Sequence, residues 1–163
     1  MIIVNKNGTL IHNKKLFKCA IGKAGIAKKK KEGDKKTPAG IFSLGKVFYR
    51  SDRIKNLKTK LKKIKITKNM AWCDDPNNKN YNKLIFLKKP NKEMLYRKDR
   101  LYDIIVIINY NIRPIKKGKG SAIFMHIAKQ KYSGTMGCVA LNKKDLLQLL
   151  KTISKNTKIK INP

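Results

Sequence analysis

The sequence predicts a β-rich α+β fold, a mixed β-sandwich or sheet with one main helix packed on it. Three observations carry this. Apolar residues come mostly in short runs rich in Ile, Val, Phe and Tyr, each bounded by Gly, Asn, Asp or Pro, which is the punctuation of strands and turns. One segment alone, from Asn142 to Ile153, combines a helix cap with a helical apolar face. At 163 residues the chain suits one core and needs no disulfide or metal to hold it, so residues 1–163 are expected to form a single domain without repeats or linkers.

The elements follow in order. "IIVNKNGTLIHN" reads as two strands around a turn at Asn7-Gly8, and "KLFKCAIG" as a third strand. "KAGIAKKKKEGDKKTPAG" (23–40) reads as an exposed loop carrying the lysine run Lys28–Lys31, and loops this long in compact domains are often functional. "IFSLGKVFYR" returns to strand. Residues 51–69 fit either a helical turn or a strand. "MAWCDDPNNKNYNKL" (70–84) is turn-rich, "LIFLKK" is a short strand, and "PNKEMLYRKDRL" is expected to hold a short helix. "YDIIVIINYN" has the β-branched content of a central strand. "NIRPIKKGKGS" is a loop, "AIFMHIA" a buried strand and "GCVAL" another. The helix then starts at Asn142, with Asp145 in its first turn and Leu146, Leu147, Leu149, Leu150 and Ile153 on its apolar face. "KIKI" closes the chain as a strand.

Charge narrows the function classes. The formal net charge is +32, a field that attracts polyanions. Yet Arg50, Arg53, Arg97, Arg100 and Arg113 are the only arginines among 41 basic residues. Lys, Ile and Asn abound throughout, as compositional bias would produce, whereas readers of bases and phosphates favour the bidentate fork of arginine. A dedicated nucleic-acid role is therefore not expected. No apolar run is long enough to span a membrane. The N-terminus lacks the pattern of a secretory signal, so the chain reads as soluble and a cytoplasmic location stays open.

Cys19, Cys73 and Cys138 form no CxxC pair and suggest neither a disulfide framework nor a zinc site. Cys19 reads as a small buried strand residue and Cys73 as mainly structural. Cys138 differs. His126, one of two histidines, lies twelve residues upstream at the end of an apolar strand, and the polar loop "KQKYSGTM" joins the two. A cysteine is nucleophilic as its thiolate, and a nearby imidazole can take its proton. Gly137 leaves room for a carbonyl carbon to approach, and the N–H groups of Gly137 and Cys138 are candidate oxyanion donors. Thr135 is a candidate to steady that turn. Trp72, Asp74, Asp75 and Tyr81 are candidates to line a cleft, the acidic pair suiting a substrate ammonium group. Ser121, just before the His126 strand, is a further binding candidate. His12 reads as a solvent-facing strand residue.

Two motifs together are more specific. "EGDKKTPAGIFSL" (32–44) and "HIAKQKYSGTMGCVAL" (126–141) resemble the L,D-transpeptidase catalytic domain, the YkuD-like family. Asp34, Thr37, Pro38, Gly40 and Phe42 match its early motif. His126, Thr135, Gly137, Cys138 and Val139 match its active-site motif in order. The chain resembles a divergent branch: Ile127 stands where the family often has Gly, Met136 where many members have His, and Ala140 where an Arg usually helps shape the site or binds a substrate carboxylate. Lysines or Arg113 are candidates to substitute for that charge. The resemblance implies acyl transfer on peptidoglycan stem peptides, donor and acceptor, with Cys138 as nucleophile, His126 as base and no metal or organic cofactor. It also implies work at the cell envelope. Two alternatives stay open: a carboxypeptidase or amidase using the same Cys–His site, and a non-catalytic basic module that binds polyanions.

Overall fold

The computed structural model describes residues 1–28 and 31–163. Thirteen strands and one helix succeed one another among them: β1 (Ile2–Asn5), β2 (Thr9–His12), β3 (Lys15–Ala20), β4 (Ile26–Ala27), β5 (Thr37–Pro38), β6 (Gly40–Tyr49), β7 (Lys63–Lys65), β8 (Met70–Trp72), β9 (Leu84–Phe86), β10 (Ile104–Ile108), β11 (Phe124–Ile127), β12 (Val139–Leu141), α1 (Lys143–Leu150) and β13 (Lys158–Ile161). The β-rich α+β expectation holds.

Local signals explain the first and last elements. Residues 6–8 turn the β1–β2 hairpin, with Gly8 at φ +75°, a conformation that costs glycine nothing. Asn142 caps α1 by accepting from the Asp145 N–H at 2.8 Å.

The strands run β10-β11-β12-β3-β2-β1-β13-β6, and β6 pairs again with β10, so the hydrogen-bonded circuit closes. Two strands turn the corners. β6 pairs with β13 through residues 40–43 and with β10 through residues 44–49. β3 pairs with β2 through residues 15–18 and with β12 through residues 19–20. Strands that change sheets in this way make the corners of a packed sandwich. Inside lies one core of Ile2, Val4, Leu10, Val106, Met125, Val139, Leu141 and Ile159, joined by Leu146, Leu149 and Leu150 of α1.

The sheet holding β10, β11 and β12 is covered on its outer face too. Ile104, Val106 and Ile108 face the inner core, whereas Ile105 and Ile107 face a second cluster with Phe48, Trp72, Leu95, Phe124 and Cys138. That two-sided cover is why "IIVII" reads as an unbroken apolar run rather than an alternating one. The outer cover is the β8–β9 hairpin and the chain after it.

Several expectations are corrected. The loop 23–40 contains a short parallel pair, β4 with β5; of its lysine run, Lys29 and Lys30 lie outside the described residues. Segment 51–69, which fitted either a helical turn or a strand, holds the strand β7. "PNKEMLYRKDRL" is not helical, because its backbone groups are spent elsewhere: Trp72 donates to the Glu93 carbonyl, Leu95 donates to Met70, and arginine side chains take the carbonyls of residues 97–99. His12 is buried, with Nδ1 3.0 Å from the Met1 carbonyl oxygen.

Candidate active site

The parallel pairing of β11 with β12 sets His126 opposite Ala140 and Met125 opposite Val139. Side chains alternate along a strand, so Phe124, His126, Cys138 and Ala140 share the outer face while Met125, Ile127, Val139 and Leu141 enter the inner core. Cys138 lies at the foot of β12, a diagonal neighbour of His126. Small Ala140 keeps the space beside the ring open. His126, Cys138, Thr135 and Ala140 line one cavity of about 220 Å³.

His126 Nδ1 lies 2.9 Å from the Ile127 carbonyl oxygen and donates to it, leaving Nε2 as the basic nitrogen. The Tyr102 ring packs edge-on at 5.3 Å. Burial pushes the His126 pKa down to about 4; the Ile127 hydrogen bond opposes this and the Arg97 charge reinforces it. The ring is therefore neutral at neutral pH and competent to accept a proton. The Cys138 thiol donates to the Ala122 carbonyl at 3.3 Å, and the Phe124 N–H donates to Sγ at 3.4 Å. The tether through Nδ1 and the burial of the ring fit an imidazole that is neutral before it takes a proton.

The turn before Cys138 is braced from two sides. Thr135 Oγ1 donates to the Cys138 carbonyl at 2.6 Å and accepts from the Gly137 N–H at 3.1 Å. This corrects the expectation for Gly137: its N–H is occupied by Thr135, so its contribution is room and conformation. Gly137 has φ +135°, and a Cβ there would fall 2.8 Å from the Lys36 carbonyl oxygen. The early motif is the strut beneath: Thr37 Oγ1 accepts from the buried Gly22 N–H at 2.7 Å, and Thr135 pairs with residues 21 and 23 through its backbone. Asp34 accepts from the Lys36 N–H, closing a local turn. The two motifs are thus one construction. Gly137→Ala is expected to cost about 2 kcal/mol or more through positive-φ strain and a backbone clash, and to lower kcat/KM on the order of 100-fold by displacing Sγ. Chemical denaturation and steady-state kinetics check both.

A second, larger cavity of about 810 Å³ meets the first at Cys138, Tyr102 and Met136. Its walls carry Glu32, Asp74, Asp75 and Glu93, four of only nine acidic residues in the chain. Burial raises the Asp74 pKa. Glu93 is held below its ordinary value despite burial, because the Asp74 N–H and the Asn91 amide donate to it. Of the two, Glu93 holds its charge the more readily. Glu32 accepts from the Tyr81 hydroxyl and, at 2.8 Å, from Ser121 Oγ. Asp74, Asp75 and Ser121 line this cavity. Trp72 and Tyr81 do not. Trp72 is buried between Phe48 and Phe124 with Nε1 donating to Asn82 at 2.9 Å. Tyr81 is buried, and its hydroxyl accepts from the Gly120 N–H. Both carry the wall from behind.

The sequence reading missed Glu32, Glu93, Tyr102 and Arg97, which lines the smaller cavity with Lys23 and Lys129. Arg113 is exposed on the 109–120 loop and lines neither cavity. The other cysteines are unsuited to nucleophilic work: burial pushes the Cys19 thiol up to about 12 and raises that of Cys73 as well. Among the described residues no group of three His, Cys, Asp or Glu could hold a metal ion, and no helix is long and apolar enough to cross a membrane.

Comparison with known proteins places the chain in a family. No curated protein sequence matches the chain. Among solved structures, the helical cell shape determining protein Pgp2 from Campylobacter jejuni is similar at 17% identity and a TM-score of 0.47, over 98% of this chain and 46% of that one. A point mutant of the same protein gives the same identity and TM-score over 45% of its length. The chain thus spans less than half the length of these structures. The family model described as the L,D-transpeptidase catalytic domain, YkuD, matches residues 1–161. That match covers nearly the whole chain, which with His126 and Cys138 lining one cavity belongs to the YkuD L,D-transpeptidase catalytic domain family.

Proposed function

We propose that residues 1–163 act as one catalytic domain that transfers acyl groups between peptidoglycan stem peptides at the cell envelope, with Cys138 as nucleophile and His126 as base. The observation that carries this reading is the pairing of a buried, neutral His126, tethered through Nδ1, with Cys138 on the same face and in the same cavity.

The steps follow from that geometry. Nε2 of His126 takes the Cys138 proton as Sγ attacks the carbonyl of the L-centre diamino acid that precedes a terminal D-alanine. The C–S bond forms, and the backbone N–H of Cys138 meets the oxyanion. The peptide C–N bond then breaks, and the D-alanine amine leaves with the proton held on His126. A thioester remains. The side-chain amine of a second stem attacks it, His126 takes the amine proton, and Sγ leaves and recovers a proton from the ring. Attack by water would give a shortened stem instead. The larger cavity suits the incoming amine: Glu93 and Asp75 attract an ammonium group in a protein otherwise strongly positive, and Asp74 holds Glu93 in place through its backbone N–H. Ser121 and Glu32 position that wall, and Thr135 positions the nucleophile's turn.

Incubation with stem tetrapeptide tests the reading. The expected product is a cross-linked dimer with release of D-alanine, detected by mass spectrometry. A shortened monomer alone would assign hydrolysis in place of transfer. An unchanged tetrapeptide, with tight salt-sensitive polyanion binding, would favour a non-catalytic module.

A further inference from the structure

Arginine is scarce in this chain, five residues against 36 lysines, yet three of the five converge on one loop. Arg50 is buried, lies over the Tyr96 ring at 3.6 Å, and donates through Nη1 to the Arg97 carbonyl at 2.8 Å. Arg53 donates to the carbonyls of Lys98 and Asp99 at 3.2 and 3.0 Å, and its charge is paired with Asp103 at 2.8 Å. The backbone of residues 97–99 is therefore held by two planar donor groups that lysine cannot reproduce. What that loop presents is Arg97.

The Arg97 side chain is itself oriented. Nε donates to Asp99 Oδ1 at 3.0 Å and Nη2 to Oδ2 at 2.5 Å. The guanidinium lies over the Tyr102 ring at 4.9 Å, and Tyr102 in turn packs on His126. A guanidinium has five N–H donors in a fixed fork; Asp99 engages Nε and Nη2, and among the described residues none accepts from Nη1. Arg97 lines the cavity of about 220 Å³ that holds His126 and Cys138, where the other charged lining residues are Lys23 and Lys129 and no carboxylate contributes. The cleft is thus polarised across Cys138: acidic in its large arm, basic in its small one.

We propose that Arg97 is a specificity-determining residue that binds a substrate carboxylate in the small arm, with Asp99 as the residue that positions it. The proposal deepens the function proposed above and rests on it: the small arm takes the leaving residue, whose terminal carboxylate meets Arg97 while the carbonyl of the residue before it faces Cys138. The ligand class is a peptide whose scissile bond is followed by one small residue with an unblocked C-terminus.

The test compares tetrapeptide with its C-terminal amide. The wild type is expected to favour the acid by roughly 10-fold or more in kcat/KM, mostly through KM, as a charge-assisted hydrogen bond implies. Arg97→Gln is expected to erase that preference and Arg97→Lys to restore part of it. Lys155→Gln, which removes one charge from a remote exposed site, is expected to leave it intact. A preference retained by Arg97→Gln, or absent in the wild type, would overturn the proposal. Alkylation of Cys138 reads the same subsite without peptide turnover. The ratio of iodoacetate to iodoacetamide rates is expected to fall about 5-fold or more in Arg97→Gln, with the iodoacetamide rate within about 2-fold of wild type. An unchanged ratio overturns the proposal even if the peptide is no substrate, so its failure is distinguishable from failure of the transpeptidase reading.

Discussion

Replacing Cys138 with alanine is expected to abolish turnover of stem tetrapeptide, a loss on the order of 10⁴–10⁶-fold in kcat, while the fold survives. The size of the loss follows from the chemistry. The thioester cannot form without Sγ, and neither Cys19 nor Cys73 can substitute, since both thiols are buried and raised. The structural cost is small by comparison. Cys138 sits at the margin of the outer core, and alanine forfeits a sulfur's packing and the acceptor of the Phe124 N–H, about 1–2 kcal/mol in all. Kinetics and a thermal melt run together separate the two effects. Retained turnover would remove Cys138 from the mechanism, whereas loss of the folded state would leave Cys138→Ser as the cleaner comparison.

His126→Asn is expected to lower kcat/KM by about 10²–10⁴-fold and to change how stability depends on pH. The ring titrates near 6.5 in the unfolded chain and near 4 in the folded one. Between those values the unfolded state binds the extra proton, so stability is full above about pH 6.5 and falls as the pH drops toward 4. Over that window the loss from this group is about 3 kcal/mol. The difference between wild type and His126→Asn, measured by denaturant titration at several pH values, isolates it from the carboxylates. The acid limb of kcat/KM is expected near pH 4 and not near 6.5. A limb near 6.5 would mean that the ring is solvated in the working enzyme.

What was legible in the sequence was mainly local. The Asn7-Gly8 turn, the Asn142 cap and the β-branched runs each specify their own backbone, and the structure follows them. His126 and Cys138 could be paired in advance because two consecutive extended segments flank one polar loop. The walls of the cleft could not. Trp72 occurs in a turn-rich stretch and so resembled a loop aromatic, but β8 lies over the outer sheet face and buries it between Phe48 and Phe124. Glu32 and Ser121 are 89 residues apart and meet only after folding. Arg97 was hidden for the same reason: the groups that hold its loop, Arg50 and Arg53, are more than forty residues upstream. The scarcity of arginine was the one signal of it in the sequence, since a composition driven to lysine keeps arginine where the planar fork is needed.

The account depends above all on Cys138 being an accessible nucleophile beside its base. Intact-mass analysis after mixing with a carbapenem, a class expected to acylate the cysteine of this family, tests that most directly. The expected result is one covalent adduct mapped to Cys138, formed much more slowly in His126→Asn and absent in Cys138→Ala. An unmodified protein, or an adduct on Cys19 or Cys73 instead, would contradict it.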